Sequence, residues 1–231
     1  METKILEMLE LQDKLNTQTS WENWKDWITN KWKIISWRRC IYMELAEAID
    51  STPWKHWKNI EWKTDINNFK IELVDIWHFL LSEAIRLVWI NESKNIILSN
   101  INEKYPLKLP VFWDKEKNEM LNNYLKPYEE LFRITLEKEE NLDYVDRLSR
   151  QFFICLDTAW MTFTELYSLY IWKNVLNKFR QDNWYKEWNY IKIWDNKEDN
   201  VVMQEILEKN ETIWFDELYE KLKEIYNKLT K

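Results

Sequence analysis

Glycine is absent from all 231 residues. A chain of this length with ordinary usage would carry about 16. Without it, tight turns and helix ends lose the residue that reaches positive φ without a Cβ clash. Cysteine and histidine number two each. Cys40 and Cys155 form no repeated spacing, so a reduced, cytoplasmic protein is expected. His56 has no second histidine beside it, which argues against zinc. No long apolar run is unbroken: Leu73 to Ile90 contains Asp75, His78, Glu83 and Arg86, so no membrane span is expected. A basic excess is also lacking, since 33 Lys and Arg face 40 Asp and Glu for a net charge of −7. That argues against binding a nucleic acid polymer. It leaves a nucleotide substrate open, because acids can hold a metal and a metal can hold phosphate.

Tryptophan, by contrast, occurs 17 times. Hydrophobic residues make up 45% and charged residues 32%, a globular balance. Ile5, Met8, Leu9, Leu11 and Leu15 recur at helical spacing, a pattern unlike a signal peptide. Further helices are expected from about Ser36 to Asp50, Asn68 to Ile90, 128–139, 141–158, 163–181 and 212–229. Ser51-Thr52-Pro53 ends the first of these. The helix from Asn68 is apolar almost all round, as at the centre of a bundle. Residues 182–200 read as loop, and 91–127, punctuated by Pro106, Pro110 and Pro127, as a helical or loop insertion. Strand patterns, repeats and linkers are missing. The expectation is a single all-α domain over 1–231.

Carboxylates stand out within this pattern. "MELAEAID" places Glu44, Glu47 and Asp50 three apart, and "IELVDIWHF" does the same for Glu72 and Asp75. Residues i and i+3 share a helix face. If the two helices pack antiparallel, Glu44, Glu47, Glu72 and Asp75 can converge, and magnesium would relieve their repulsion. About seven such acid pairs arise by chance at this composition, and one alone usually marks a solvated face. Here Ile71, Leu73, Val74, Ile76, Trp77 and Phe79 surround the second pair. Buried acids are rare unless paired or metal-bound.

Between the acid helices, "STPWKHWKN" offers Trp54 and Trp57 for stacking on a base or for packing. It also offers Lys55 and Lys58 for phosphate or solvent. His78 lies on the face of Asp75 and reads as a hydrogen-bonded core or pocket residue. Lys173, Asn177 and Arg180 form one polar stripe at i, i+4 and i+7, opposite Val175, Leu176 and Phe179. Followed by Tyr185, Lys186 and Lys192, it suits an anionic ligand with several oxygens or an ordinary amphipathic helix.

Together the segments "LQDKLN" (11–16), "ISWRRCIYMELAEAIDS" (35–51), "WKHWKNI" (54–60), "IELVDIWHF" (71–79), "KNVLNKFRQDN-x-YK" (173–186) and "KEDN" (197–200) resemble the dimeric, all-α dUTPases. These belong to the wider all-α nucleoside triphosphate pyrophosphohydrolases. About 91–160 matches only loosely. The resemblance implies a homodimer that hydrolyses dUTP, with dUDP as a further substrate, using two or three Mg2+ ions. It implies Glu44, Glu47, Glu72 and Asp75 as metal ligands, with Glu47 also as the catalytic base. Lys173, Arg180, Tyr185 and Lys192 would contact phosphate. Gln12, Asn16 and Asn177 would contact base and sugar, and Trp54, His78 and Phe79 would wall the pocket. The family closes over its ligand. A related enzyme preferring dCTP, or both dCTP and dUTP, is the nearest alternative. A non-catalytic helical interaction protein is an alternative of another class.

The family has tryptophan at positions matching Trp37, Trp54, Trp57, Trp77 and Trp194. It has glycine at positions matching Trp172 and Trp184, and also Trp27 and Trp32. Local physics adds Trp160: "LDTAWMTFTE" reads as a helix end followed by a start capped by Thr162 with Glu165 three on. Trp160 sits where a C′ glycine would go. A UGA codon read as glycine in the source and as tryptophan in this translation would produce both the deficit and the excess.

Overall fold

The computed structural model describes residues 1–29, 31–58, 64–101, 117–185, 189–210 and 213–229, with 117–120 described in their backbone alone. Eight α-helices are present among them: α1 (Glu2–Thr19), α2 (Trp37–Asp50), α3 (Ile66–Ile101), α4 (Lys117–Thr135), α5 (Leu142–Thr158), α6 (Phe163–Asp182), α7 (Asp199–Lys209) and α8 (Phe215–Leu229). The fold is all-α. The described strands are β1 (Ile193–Trp194) and β2 (Lys197–Glu198), an antiparallel pair. No helix among the described residues is long and apolar enough to cross a membrane.

The chain divides into two compact units, Met1–Tyr167 and Ser168–Lys231. The division falls inside α6, a continuous helix, so no linker composition could announce it. In the first unit α3 is central and packs against α1, α2 and α5, while α4 packs on α2 and α5. Its core is built from Leu73, Val74, Ile76, Trp77, Leu80 and Leu81, none more than trivially exposed. Trp77 lies flat on Phe152 at 5.0 Å. In the second unit the ring of Phe179 meets Tyr190, Trp194, Tyr219 and Tyr226 edge-on. That aromatic cluster, with Leu218 and Leu222 buried, is its core.

Local signals explain most boundaries. The Ser36 hydroxyl accepts from the Arg39 amide at 3.3 Å and caps α2. Asn141 caps α5 through the Tyr144 amide at 2.9 Å. Thr162 accepts from the Glu165 amide at 3.2 Å. The Glu165 carboxylate does not close the capping box; it pairs with Lys70 of α3 at 2.6 Å.

Three expectations need correction. The helix from Asn68 starts at Ile66 and does not stop at Ile90, but continues to Ile101 across a kink at Trp89. Residues 91–101 are therefore helix, α4 starts at 117, and 102–116 lie outside the described residues. Pro127 sits inside α4 and does not end it. The stretch 182–200 is not simply loop: it contains the β1–β2 hairpin and the start of α7. The hairpin turn is Asp195-Asn196, both at positive φ (47° and 67°). Asp and Asn tolerate that region, and two such residues make the turn that matches strand twist.

The other positive-φ residues among those described are all tryptophan: Trp27 (68°), Trp32 (59°), Trp89 (63°), Trp160 (56°) and Trp184 (65°). Holding a residue with a Cβ in the left-handed region costs about 1–2 kcal/mol. At Trp160 the backbone is a complete Schellman end to α5: Met161 N–H donates to Leu156 O at 3.0 Å and Trp160 N–H to Asp157 O at 3.2 Å. The C′ position is where the sequence places it. Trp172, in contrast, lies within α6 and is not among the positive-φ residues.

Candidate active site

Glu44 faces out of α2 toward α3, where Glu72 and Asp75 stand one turn apart. One carboxylate oxygen from each of the three lies within 4.8 Å of the others. Glu72 is buried, and Glu44 and Asp75 are half-buried. The packing of α2 on α3 creates this convergence, because each acid sits on the face its helix presents to the other. Burial pushes the Glu44 carboxyl up to about 9, with the charges of Asp75, Glu72 and Glu47 adding to the effect. Glu47 stays outside the group of three: it is exposed, one turn along α2. Asp50, a further turn along, leaves the site altogether. It accepts from Trp54 Nε1 at 3.0 Å and pairs with Lys55.

A second polar group lies within the first unit, between α1 and α3. Gln12 and Asn16 are almost fully buried. Gln12 Nε2 donates to Asn16 Oδ1 and to Ser82 Oγ, both at 3.0 Å. Asn16 Nδ2 donates to Ser82 Oγ at 2.9 Å. His78 Nδ1 meets Gln12 Oε1 at 2.7 Å. Four polar side chains at i, i+4 on one helix and i, i+4 on the other thus interlock in an otherwise apolar layer. Sequence reasoning found Gln12, Asn16 and His78 but missed Ser82. The signal was available: Ser82 is one turn beyond His78 on the same face.

Phe79 is half-buried and stacks on Trp37 at 6.0 Å. Trp37 in turn meets Trp24 edge-on at 5.7 Å. Trp54 packs edge-on against Trp57 at 5.3 Å in the loop after α2. That loop is fastened to the end of α2 by the contacts to Asp50. Residues 59–63 lie outside the described residues.

The second unit carries the basic group. Arg180 Nε and Nη2 reach Asp199 Oδ2 and Oδ1 at 2.8 and 2.7 Å. Tyr190 donates to the same carboxylate at 2.8 Å. Burial opposes the Asp199 charge, but the Arg180 hydrogen bonds outweigh it and hold the carboxyl below the usual range. Lys173, almost fully buried, donates to Asn200 Oδ1 at 2.9 Å. Asn177 Oδ1 accepts from Arg180 Nη1 at 3.2 Å. The Tyr185 ring lies 5.8 Å from the guanidinium carbon of Arg180. Lys192 is exposed and pairs with Glu198 at 3.1 Å. Lys186 lies outside the described residues. The stripe Lys173, Asn177, Arg180 is therefore organised by Asp199 and Asn200 at the start of α7, which sequence reasoning did not foresee as partners.

An apolar interior with three converging carboxylates is suited to a divalent cation and oxygen-rich ligand. A separate buried amide group is suited to a flat heterocycle with donors and acceptors on its edge. A model of the family described as dUTPase matches residues 4–185. No curated protein matches the chain.

Proposed function

We propose, starting from a chain that belongs to the all-α dUTPase family, that its three converging carboxylates hold magnesium for attack of water on dUTP. Family membership makes the protein a dUTP diphosphatase. To that activity we add the metal, the direction of attack and the residue roles. The observation that carries the metal is the convergence of Glu44, Glu72 and Asp75 within 4.8 Å in a largely apolar setting.

The donor set fits magnesium. All three ligands are carboxylate oxygens, the donors a hard cation takes, and the crowding that pushes Glu44 up to about 9 is what a divalent charge would relieve. Bound there, magnesium would neutralise phosphate oxygens and make a bound water more acidic. Two or three ions are the expected number. Glu47, exposed beside the three ligands, takes the proton of the attacking water and also serves as a ligand. Attack falls on the β-phosphorus and releases dUMP and pyrophosphate; dUDP is a further substrate.

Gln12, Asn16 and His78 read the base, since amides offer both a donor and an acceptor to a uracil edge. Phe79 and Trp54 wall the pocket, and Asn177 contacts the sugar. Lys173, Arg180, Tyr185 and Lys192 bind phosphate. The acting species is a cytoplasmic homodimer, which sedimentation at working concentrations would test.

The direct experiment is pyrophosphate release from dUTP, dCTP, dTTP and UTP, with and without Mg2+. Turnover of dUTP that needs Mg2+ and disappears in Glu72→Gln supports the reading. Faster turnover of dCTP overturns the base assignment, and turnover after complete metal removal overturns the metal assignment.

A further inference from the structure

We infer that positions 27, 32, 89, 160 and 184 are occupied by glycine in the protein as its own cell makes it, from UGA codons read as glycine. Tryptophan is 17 of 231 residues, yet it supplies five of the seven positive-φ residues among those described. A bulky residue with φ > 0 is a conformational outlier, whereas glycine is the default there. Five outliers of one residue type, in a chain with no glycine at all, have one economical source.

Each position uses its positive φ for a structural purpose that glycine serves. Trp160 is the C′ residue of a Schellman helix end. Trp184 takes the C′ position after α6, its N–H donating to Gln181 O at 3.3 Å. Trp27 (φ 68°, ψ 5°) terminates the short 3-10 helix Trp24–Asp26. Trp32 closes the turn that lets Ile28 pair with Ile34. Trp89 stands inside α3 at φ 63°, ψ 168°, a region that is essentially glycine's alone. Four of the side chains show no compensating burial: Trp32, Trp89, Trp160 and Trp184 are 85%, 67%, 70% and 64% exposed, against 36% for Trp27. Tryptophans that pack behave oppositely. Trp77 and Trp194 are buried among aromatic rings and have ordinary backbone angles.

UGA differs by one base from the tryptophan codon UGG and by one base from the glycine codon GGA. A glycine tRNA reading UGA places glycine at each UGA codon, where a decoder reading UGA as tryptophan would write tryptophan, and leaves UGG positions as tryptophan. None of these five positions belongs to the proposed catalytic or binding residues.

Three measurements test it. In the gene, the five positions carry UGA and Trp77 and Trp194 carry UGG; UGG at any of the five, or UGA at Trp77 or Trp194, overturns it. Peptide mass spectrometry of the protein isolated from its own cells reads glycine at the five positions, and tryptophan at any of them overturns it. In the recombinant chain, the fivefold Trp→Gly variant melts at a higher temperature than the tryptophan form. Trp27→Gly is the demanding arm, because the Trp27 ring lies 3.7 Å from the Arg86 guanidinium carbon and a native tryptophan there would stabilise the chain. A fall in melting temperature in the fivefold variant overturns the inference.

Discussion

Arg180 and Asp199 meet through two parallel hydrogen bonds, 2.8 and 2.7 Å long, with the carboxylate fully buried at the first position of α7. Joined across 19 residues, they tie the end of α6 to the start of α7 and hold the guanidinium in one orientation.

Removing one partner leaves an unpaired buried charge. Asp199→Asn is expected to destabilise the protein by about 3–5 kcal/mol at neutral pH, by chemical denaturation. The pH dependence has a fixed sign. Asp199 binds its proton less readily when folded, so its contribution is full above the ordinary Asp range and lost as pH falls through the lower folded value. The wild-type acid limb should therefore be steeper than that of Asp199→Asn. Parallel limbs would refute the coupling.

Glu44 has the opposite sign. Its carboxyl is pushed up to about 9, so the folded metal-free protein binds a proton that the unfolded chain releases near 4.5. Metal-free stability is expected to fall as pH rises between those values, and Glu44→Gln should flatten that decline. Magnesium binding should release protons, which titration calorimetry in buffers of different ionisation enthalpy would register. A buffer-independent heat would count against Glu44 as a ligand.

The Gln12–Asn16–Ser82–His78 group predicts a separable effect. Ser82→Ala removes an acceptor shared by two buried amides, and a loss of about 1–3 kcal/mol in stability is expected. Because Ser82 touches the proposed base contacts Gln12 and Asn16, KM for dUTP should rise more than kcat falls. A fall in kcat with unchanged KM would remove this group from base recognition.

Glu83 tests the structural side of α3. It is buried and accepts from Arg38 Nε at 2.7 Å and from Arg86 at 2.8 and 2.9 Å. Glu83→Ala leaves Arg86, nearly buried, with only the longer Glu140 contact at 3.9 Å, and Arg38 with that contact and the Glu137 and Glu139 carbonyls. The expected cost is about 3–5 kcal/mol, with magnesium affinity per folded molecule unchanged. Loss of metal affinity in the folded fraction would show that this ion network also shapes the carboxylate site.

Much of this was legible because it is local. The Ser36 cap, the i+3 acid pairs and the period of α3 are written within single helices, and the structure brings Glu44, Glu72 and Asp75 together as those periods imply. The α7 start was not legible, since Asp199 earns its place through a distant partner, Arg180. Ser82 was legible only through its place one turn beyond His78 on the same helix face. The kink in α3 was hidden for a simpler reason: tryptophan at 89 does not read as a helix breaker, as glycine there would.

α3 works as a ruler. Glu72, Asp75, His78, Ser82 and Arg86 lie three or four residues apart along one face, so carboxylate site, amide group and ion network share a single register. One inserted residue in this stretch would turn everything beyond it by about 100°. Three chemically unrelated clusters would then lose alignment together, so this segment can vary its side chains singly but not its length.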